Sequence, residues 1–445
     1  MFEEYLPLIM VGVLFIVLLA GYPVAFTLGG VALLFGWIGF GLDFFNLLPL
    51  RIWGVMTNFT LLAVPLFVFM GVMLEKSGLA EELLETMTLL FGRVRGGMAV
   101  SVVAVGALLA ASTGIVGATV VTMGLLALPT MLRRNYQPEL AVGVIASAGT
   151  LGQIIPPSII LVLLGDIMNV PVGDLFLAAV IPGLSLVVLY IVWIVIIAAM
   201  RPALAPAIPA EERAAISGRQ LVGRIVRGLV PPLTLMVAVL GSIFAGIASP
   251  TESAAMGGVG AMLLTALNRR MSWSVITDTA RATTRLTSMI FIIFMGATTF
   301  GLVFRGLAGD DLIRDFLEME MLGGHGALLV VMLVLFVLGF FLDFIEITFI
   351  VVPIVAPIMI DFGYDPIWLA IMVAMNLQTS FLTPPFGFSL FYLKGVAPPS
   401  ITTAHLYRGA MPFVAIQLLA LALLALFPDV ALWLPNLAKE AMQAR

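Results

Sequence analysis

Thr150-Leu151-Gly152-Gln153-Ile154-Ile155-Pro156-Pro157-Ser158 is an apolar run interrupted by two prolines, and Leu382-Thr383-Pro384-Pro385-Phe386-Gly387 is another. Each proline lacks an amide donor and crowds the turn before it, so both runs read as broken helices. Pro156 and Pro384 lie 228 residues apart. The same shift superposes Pro129 on Pro357, Tyr136 on Tyr364, Pro138 on Pro366, Pro171 on Pro399, and Gly78-Leu79-Ala80 on Gly306-Leu307-Ala308. Glycine and leucine match often by chance, but so many prolines at one constant shift do not. The chain therefore reads as two copies of one unit, residues 1–200 and 229–430, with a linker at 201–228 and a C-terminal tail at 431–445.

Composition says where these copies live. Of 445 residues 62% are apolar and 10% charged, against about 45–50% and 25% in a soluble domain. A water-soluble enzyme and a nucleic-acid binder are excluded, and the partner is a lipid bilayer. A net charge of −4 says nothing about a polyanionic partner, and without cysteine there is no disulfide or thiolate chemistry. Met1-Phe2-Glu3-Glu4-Tyr5 carries acids where a secretory signal carries Lys or Arg, so the first apolar run is expected to be retained as a helix.

Apolar stretches at about 5–20, 22–41, 56–74, 174–200, 229–247, 250–268, 286–304 and 401–427 read as spans, and 138–165 and 366–393 as broken spans. Regions 97–132 and 325–360 are too long for one span and too short for two with a loop. Their centres, Ala111-Ser112-Thr113-Gly114 and Leu342-Asp343-Phe344-Ile345-Glu346, fit re-entrant hairpins of two half-helices. Unpaired backbone at membrane depth is tolerated only against protein or a watery cavity, so these tips are expected to line a site.

Each copy then holds five spans and one hairpin. Five is odd, so the second copy enters the membrane inverted. With the N-terminus outside, in the periplasm, only Arg51, Arg305, Arg314, Lys439 and Arg445 of the 21 basic residues face outward, which satisfies the positive-inside rule. Arg133-Arg134 follows the first hairpin and Asp361-Phe362-Gly363-Tyr364-Asp365 the second, so the two hairpins are expected to open on opposite faces. Segments 78–92 and 307–320 read as interfacial arm helices, and the Arg-rich later half of the linker as a helix on the cytoplasmic surface.

A helix broken at the midplane exposes amide donors at one half-helix start, suited to an anion, and carbonyl acceptors at the other's end, suited to a small cation. The first copy offers Ser112, Thr113 and Gly114 at its tip, and Ser147, Gly149, Thr150, Gly152 and Pro156 at its break. The second offers Asp343 and Glu346 at its tip, and Asn376, Gln378, Thr379, Ser380, Thr383 and Pro384 at its break. Such neutral oxygens with one or two carboxylates suit Na+ better than a divalent cation, which recruits more charge. Two Na+ sites facing one substrate cavity is the economical geometry. Ser112, Thr113, Gly114, Thr150, Asp343, Glu346 and Gln378 are then the substrate-side candidates. Helix packing is the alternative role for the small polar residues, and capping for Asp343. Glu252 in Ser249-Pro250-Thr251-Glu252-Ser253 reads as a cap, and Asp166 as a solvated helix end.

Nothing points to catalysis. His325 and His405 make no metal-ligand pair, and Glu75 stands where a phosphate-binding loop needs glycine before Lys76. No cofactor is expected, only Na+ as a coupling ion.

The Thr150–Ser158 run, Asp174-Leu175-Phe176-Leu177-Ala178 leading to Ile181-Pro182-Gly183, Ser249-Pro250-Thr251-Glu252-Ser253-Ala254-Ala255, and the Leu382–Gly387 run together resemble the large membrane subunit of TRAP (tripartite ATP-independent periplasmic) transporters, DctM-like, over nearly the whole chain. The resemblance implies a Na+-coupled secondary importer of organic acids in a bacterial or archaeal cytoplasmic membrane, moving a carboxylate substrate by an elevator motion of the hairpin domain. It implies two partners, a small four-helix membrane subunit and a periplasmic substrate-binding protein. Its two sodium sites would fall at the first tip with the 147–156 break and at the second tip with the 376–384 break, with substrate between the tips. Two departures stand out. The first tip has fewer hydroxyls than the family's Ser/Gly-rich run, and the Phe340-Phe341-Leu342-Asp343-Phe344 tip is more aromatic, which points to a less polar or aromatic acid.

The expected fold is thus an all-α polytopic membrane protein of two inverted repeats, each of five spans plus one re-entrant hairpin, built as an elevator-type transporter. A single-component divalent-anion/Na+ symporter is the nearest alternative. An ion channel is more distant, because channels carry their symmetry between subunits and this chain carries it internally.

Overall fold

The computed structural model of the chain describes residues 5–207, 218–318 and 323–443, among which the regular structure is α-helix and 3-10 turn and no strand occurs. The first copy supplies α1 (Leu6–Leu19), α2 (Val24–Phe40), α3 (Leu48–Met56), α4 (Ala63–Lys76) and α5 (Leu79–Phe91). It continues with the hairpin α6 (Gly97–Thr113) and α7 (Val116–Arg133), the broken helix α8 (Pro138–Thr150) and α9 (Ile159–Ile167), and α10 (Val172–Met200). The second copy supplies α11 (Gly218–Phe244), α12 (Pro250–Leu267), α13 (Trp273–Gly306) and α14 (Gly309–Leu317). Its hairpin is α15 (Gly323–Leu338), α16 (Phe344–Ile350) and α17 (Val352–Asp361), its broken helix α18 (Pro366–Leu382) and α19 (Phe388–Val396), it ends with α20 (Thr403–Leu426), and α21 (Asp429–Gln443) follows.

Local chemistry sets many of these starts. Proline opens α8, α12 and α18, where a missing amide is not needed by the ladder. Asp365 caps α18 by accepting from the amides of Ile367 and Trp368 at 2.8 and 3.0 Å. At α12 the Ser249 amide donates to Glu252 Oε2 at 2.7 Å and Ser249 Oγ accepts from the Glu252 amide at 3.3 Å, the capping role read from the sequence.

The 228-residue shift reappears in the packing. α2 lies along α13, while their counterparts α12 and α4 lie along each other. The same exchange relates α8 with α20 to α18 with α10, and α7 with α19 to α16 with α9. A contact that returns with its partners exchanged is what a two-fold relation between copies would give, and it packs the two halves of the chain against each other.

Several expectations change. By length and composition only α7, α10, α11, α13 and α20 are long and apolar enough to cross a membrane as single helices among the described residues, so four of the eight runs read as full spans, at 174–200, 229–247, 286–304 and 401–427, meet that measure, and α7, in the expected first hairpin, meets it too. α1, with 14 residues, reaches about 21 Å, short of a hydrocarbon core of roughly 30 Å. Hydropathy measured the apolar run, which is longer than the helical one. Linker residues 208–217 lie outside the described residues. From residue 218 the expected surface helix is instead the start of α11, which runs on to Phe244 and packs on α5. α11 also passes through Pro231-Pro232, so a double proline does not by itself end a helix.

The expected C-terminal tail is α21. Ala431, Pro435 and Ala438 turn one face toward the protein at helical spacing, the helix packs on α10, and Lys439 Nζ lies 3.3 Å from Asp174 Oδ2. Residues 444 and 445 lie outside the described residues.

Candidate functional site

α6 ends on Gly114, whose φ of +60° is the left-handed region that glycine enters without strain. A Cβ there would meet Ile159 Cγ1 at 3.2 Å, so the first tip sits against the start of α9. A Cβ on Gly152 would meet the Ala110 carbonyl oxygen at 3.2 Å, and one on Gly149 would collide with Val120. The first break therefore closes on its own hairpin. Ser112 and Thr113 form the last turn of α6, and their side chains lie outside the described residues.

The second tip turns on Asp343. Its Oδ1 accepts from the Phe344 amide at 2.6 Å, and Glu346 Oε2 accepts from the Asp343 amide at 3.0 Å, a capping box that starts α16. A Cβ on Gly339 would collide with Ser380 Oγ. Ser380 is the counterpart of Gly152, and Gly339 that of Ala111, next to the Ala110 that Gly152 meets, so in both copies the hairpin and the break approach closely, with the glycine on opposite partners.

At the breaks the hydroxyls give their protons to their own helices. Ser147 Oγ donates to the Val144 carbonyl at 3.1 Å and Thr150 Oγ1 to Ser147 at 2.8 Å. Thr379 Oγ1 donates to Met375 at 2.8 Å, Ser380 Oγ to Leu377 at 2.8 Å and Thr383 Oγ1 to Thr379 at 2.7 Å. Asn376 Nδ2 donates to the Met332 carbonyl of the second hairpin at 2.7 Å. Each of these oxygens keeps lone pairs free, which is the chemistry of a neutral cation ligand. Pro156 is buried and Pro384 half-buried beside them.

A cavity of about 350 Å³ lies where the two copies meet. Ile115 and Val116 bring the first tip, Asp343 and Ile345 the second, Tyr392 the helix after the second break, and Met289 on α13 the opposite wall. A Cβ on Gly117 would lie 3.2 Å from the Tyr392 ring, so α19 leans on the start of α7. Asp343 is the one carboxyl side chain on this cavity's wall among the described residues, and most of the rest is apolar. Gly114, Thr150, Gln378 and Glu346 do not line it.

Thr150 and Gln378 occupy equivalent positions of the two copies and belong to the interior instead. Gln417 Nε2 donates to Tyr190 Oη at 2.7 Å and reaches Thr150 Oγ1 at 3.4 Å. Gln378, fully buried, lies by the Tyr190 hydroxyl, and its amide has no partner of hydrogen-bond geometry among the described residues.

Sequence reading missed Tyr190, Gln417, Tyr392 and Met289. Only the buried polar character of Gln417 within the 401–427 span would have flagged one of them. Asp166 is half-buried rather than solvated, and its Oδ1 accepts from Asn58 Nδ2 at 2.7 Å.

Residues 11–430 match the family described as "Tripartite ATP-independent periplasmic transporter, DctM component". The chain is 33% identical over 400 residues, 89% of its length and 91% of the relative's, to the C4-dicarboxylate TRAP transporter large permease protein DctM of Pseudomonas aeruginosa. It is 30% identical over 380 residues, 85% and 86% of the two lengths, to the ectoine/5-hydroxyectoine TRAP transporter large permease protein UehC of Ruegeria pomeroyi. The solved YdaH transporter of Alcanivorax borkumensis superposes with a TM-score of 0.61 over 96% of this chain and 98% of that one at 14% identity, a likeness of fold alone. Permeases of this family are transporters rather than enzymes, and work with a small membrane subunit and a periplasmic binding protein. A membrane chain that is helical throughout its regular structure among the described residues, and that is matched from Val11 to Val430, belongs to the DctM family, the large permease subunits of these transporters.

Proposed function

We infer that this permease imports an organic acid across the inner membrane, driven by Na+ and supplied by a periplasmic binding protein, with its N-terminus on the periplasmic side. The observation that carries the reading is the convergence of both tips, one from each copy, on the cavity that holds Asp343. Na+ is coordinated at each tip with its neighbouring break. Ser112, Thr113, Gly149, Gly152 and Pro156 serve the first site, and Asp343, Asn376, Thr379, Thr383 and Pro384 the second. Free lone pairs on Thr379 and Thr383 and the carboxylate of Asp343 fit that role. Substrate sits between the tips, and the apolar wall around Asp343 favours a less polar acid.

Helices α6–α10 and α15–α20 then move as a unit against α1–α5 and α11–α14. Thr122 Oγ1 to Glu75 Oε1, at 2.8 Å, and Asn58 to Asp166 are contacts between the two groups that such motion must break. Coupling requires that the empty and fully loaded carriers move while partly loaded ones do not.

The test is uptake into vesicles holding the permease and its small subunit, with binding protein outside. An inward Na+ gradient is expected to drive uptake of the binding protein's ligand. Equal uptake with K+ replacing Na+ refutes the coupling, and full uptake by the permease alone favours a single-component symporter.

A further inference from the structure

Two cavities lie along one crevice between α13 and the second hairpin. The inner one is the tip cavity, which meets α13 at Met289 and Ile290 and the hairpin at Asp343. The outer one, about 470 Å³, meets α13 between Phe294 and Arg305 and the hairpin between Phe349 and Ile354. Phe294 stacks on Phe349 there, with ring centroids 4.4 Å and planes 18° apart. One ring from each side of the crevice thus forms the floor of the outer cavity.

Charge distinguishes this outer cavity from the other. Arg51 on α3 and Arg305 at the end of α13 line it, both exposed, and neither has an ion-pair or hydrogen-bond partner among the described residues. One acid joins them, Asp166, whose Oδ1 is engaged by Asn58. A further void of about 440 Å³ shares Arg51, Phe294 and Thr298 and widens the cavity toward Asn58. With the N-terminus outside, Arg51 and Arg305 are two of only five outward-facing basic residues, so the chain gathers its scarce outer positive charge at the mouth of this crevice. A guanidinium offers paired donors in a planar fork that fits a carboxylate.

We propose that the outer cavity is a carboxylate-receiving subsite, distinct from the tip cavity, where Arg51 and Arg305 hold an incoming organic acid above the closed Phe294–Phe349 floor. It rests on the organic-acid reading above and adds the place where the acid first meets the permease. Exposed ion pairs are weak, so its affinity is on the order of millimolar, as suits a position that a solute leaves again.

The test is arginine labelling by phenylglyoxal on the purified full-length chain in lipid nanodiscs, read by peptide mass spectrometry with succinate as the probe. Near saturation, succinate is expected to slow labelling of Arg51 and Arg305 by about tenfold relative to Arg93 and Arg281. Sodium chloride at equal ionic strength is expected not to do so. Asp343→Asn, which keeps a capping side chain, is expected to leave this protection intact. No selective protection, or equal protection by chloride, overturns the subsite. Protection lost in Asp343→Asn also overturns it, because the anion then sits at the tips and the organic-acid reading survives alone.

Discussion

The first hairpin tip turns on Gly114 with no ionisable group in it, whereas the second turns on Asp343, which caps α16 and closes a box with Glu346. Both tips nonetheless close on a break in the same manner, through Gly152 beside Ala110 in one copy and Gly339 beside Ser380 in the other. A charged residue is therefore not needed to build this turn. The difference teaches that two tips with similar close backbone approaches carry different side chains at the turn, Gly114 in one and Asp343 in the other.

Asp343→Ala carries the largest expected effect. It removes a cap and the one carboxyl of the tip cavity together, and uptake should fall by about 100-fold. Asp343→Asn sharpens the comparison, because asparagine caps as well as aspartate but carries no charge. If the carboxylate holds Na+, half-maximal uptake should require about tenfold more Na+, equivalent to about 1.4 kcal/mol. An unchanged Na+ requirement would reduce Asp343 to a cap and make the two tips alike.

Gly339→Ala forces a methyl into Ser380 and should destabilise the protein by about 1–3 kcal/mol, seen as a lowered midpoint in thermal unfolding. Gly152→Ala, where the nearest atom stands at 3.2 Å, should cost less. The reverse order would show that the two close approaches are not equivalent. Thr383→Ala should raise the Na+ requirement by about threefold, since it removes one neutral oxygen of several. Glu252→Ala is the smallest change. It opens the capping box of α12, so the unfolding midpoint should drop while uptake per folded molecule stays level.

Much of this was legible in the chain because proline and glycine act locally. Pro138, Pro366, Gly114 and the two broken runs set helix starts and turns through their own backbone preferences, wherever the rest of the protein lies. Lengths were less legible, since an apolar run at 5–20 does not say that α1 stops at Leu19. Pro231-Pro232 was passed over, and its helix shows that a double proline needs surrounding packing to become a break. The site was legible as a region and not as a wall. Tyr392, Met289 and Tyr190 come from other helices, and only tertiary packing puts them beside Asp343 or Thr150.

The exchange that pairs α2 with α13 and α4 with α12 bears on how this protein is made. As the ribosome delivers the chain, α2 and α4 enter the bilayer before their mates exist, and must wait until about residue 306 has been inserted. A product truncated in the linker would leave those flanks open to lipid and to cellular proteases. Biogenesis is thus completed late, by the second half locking the first.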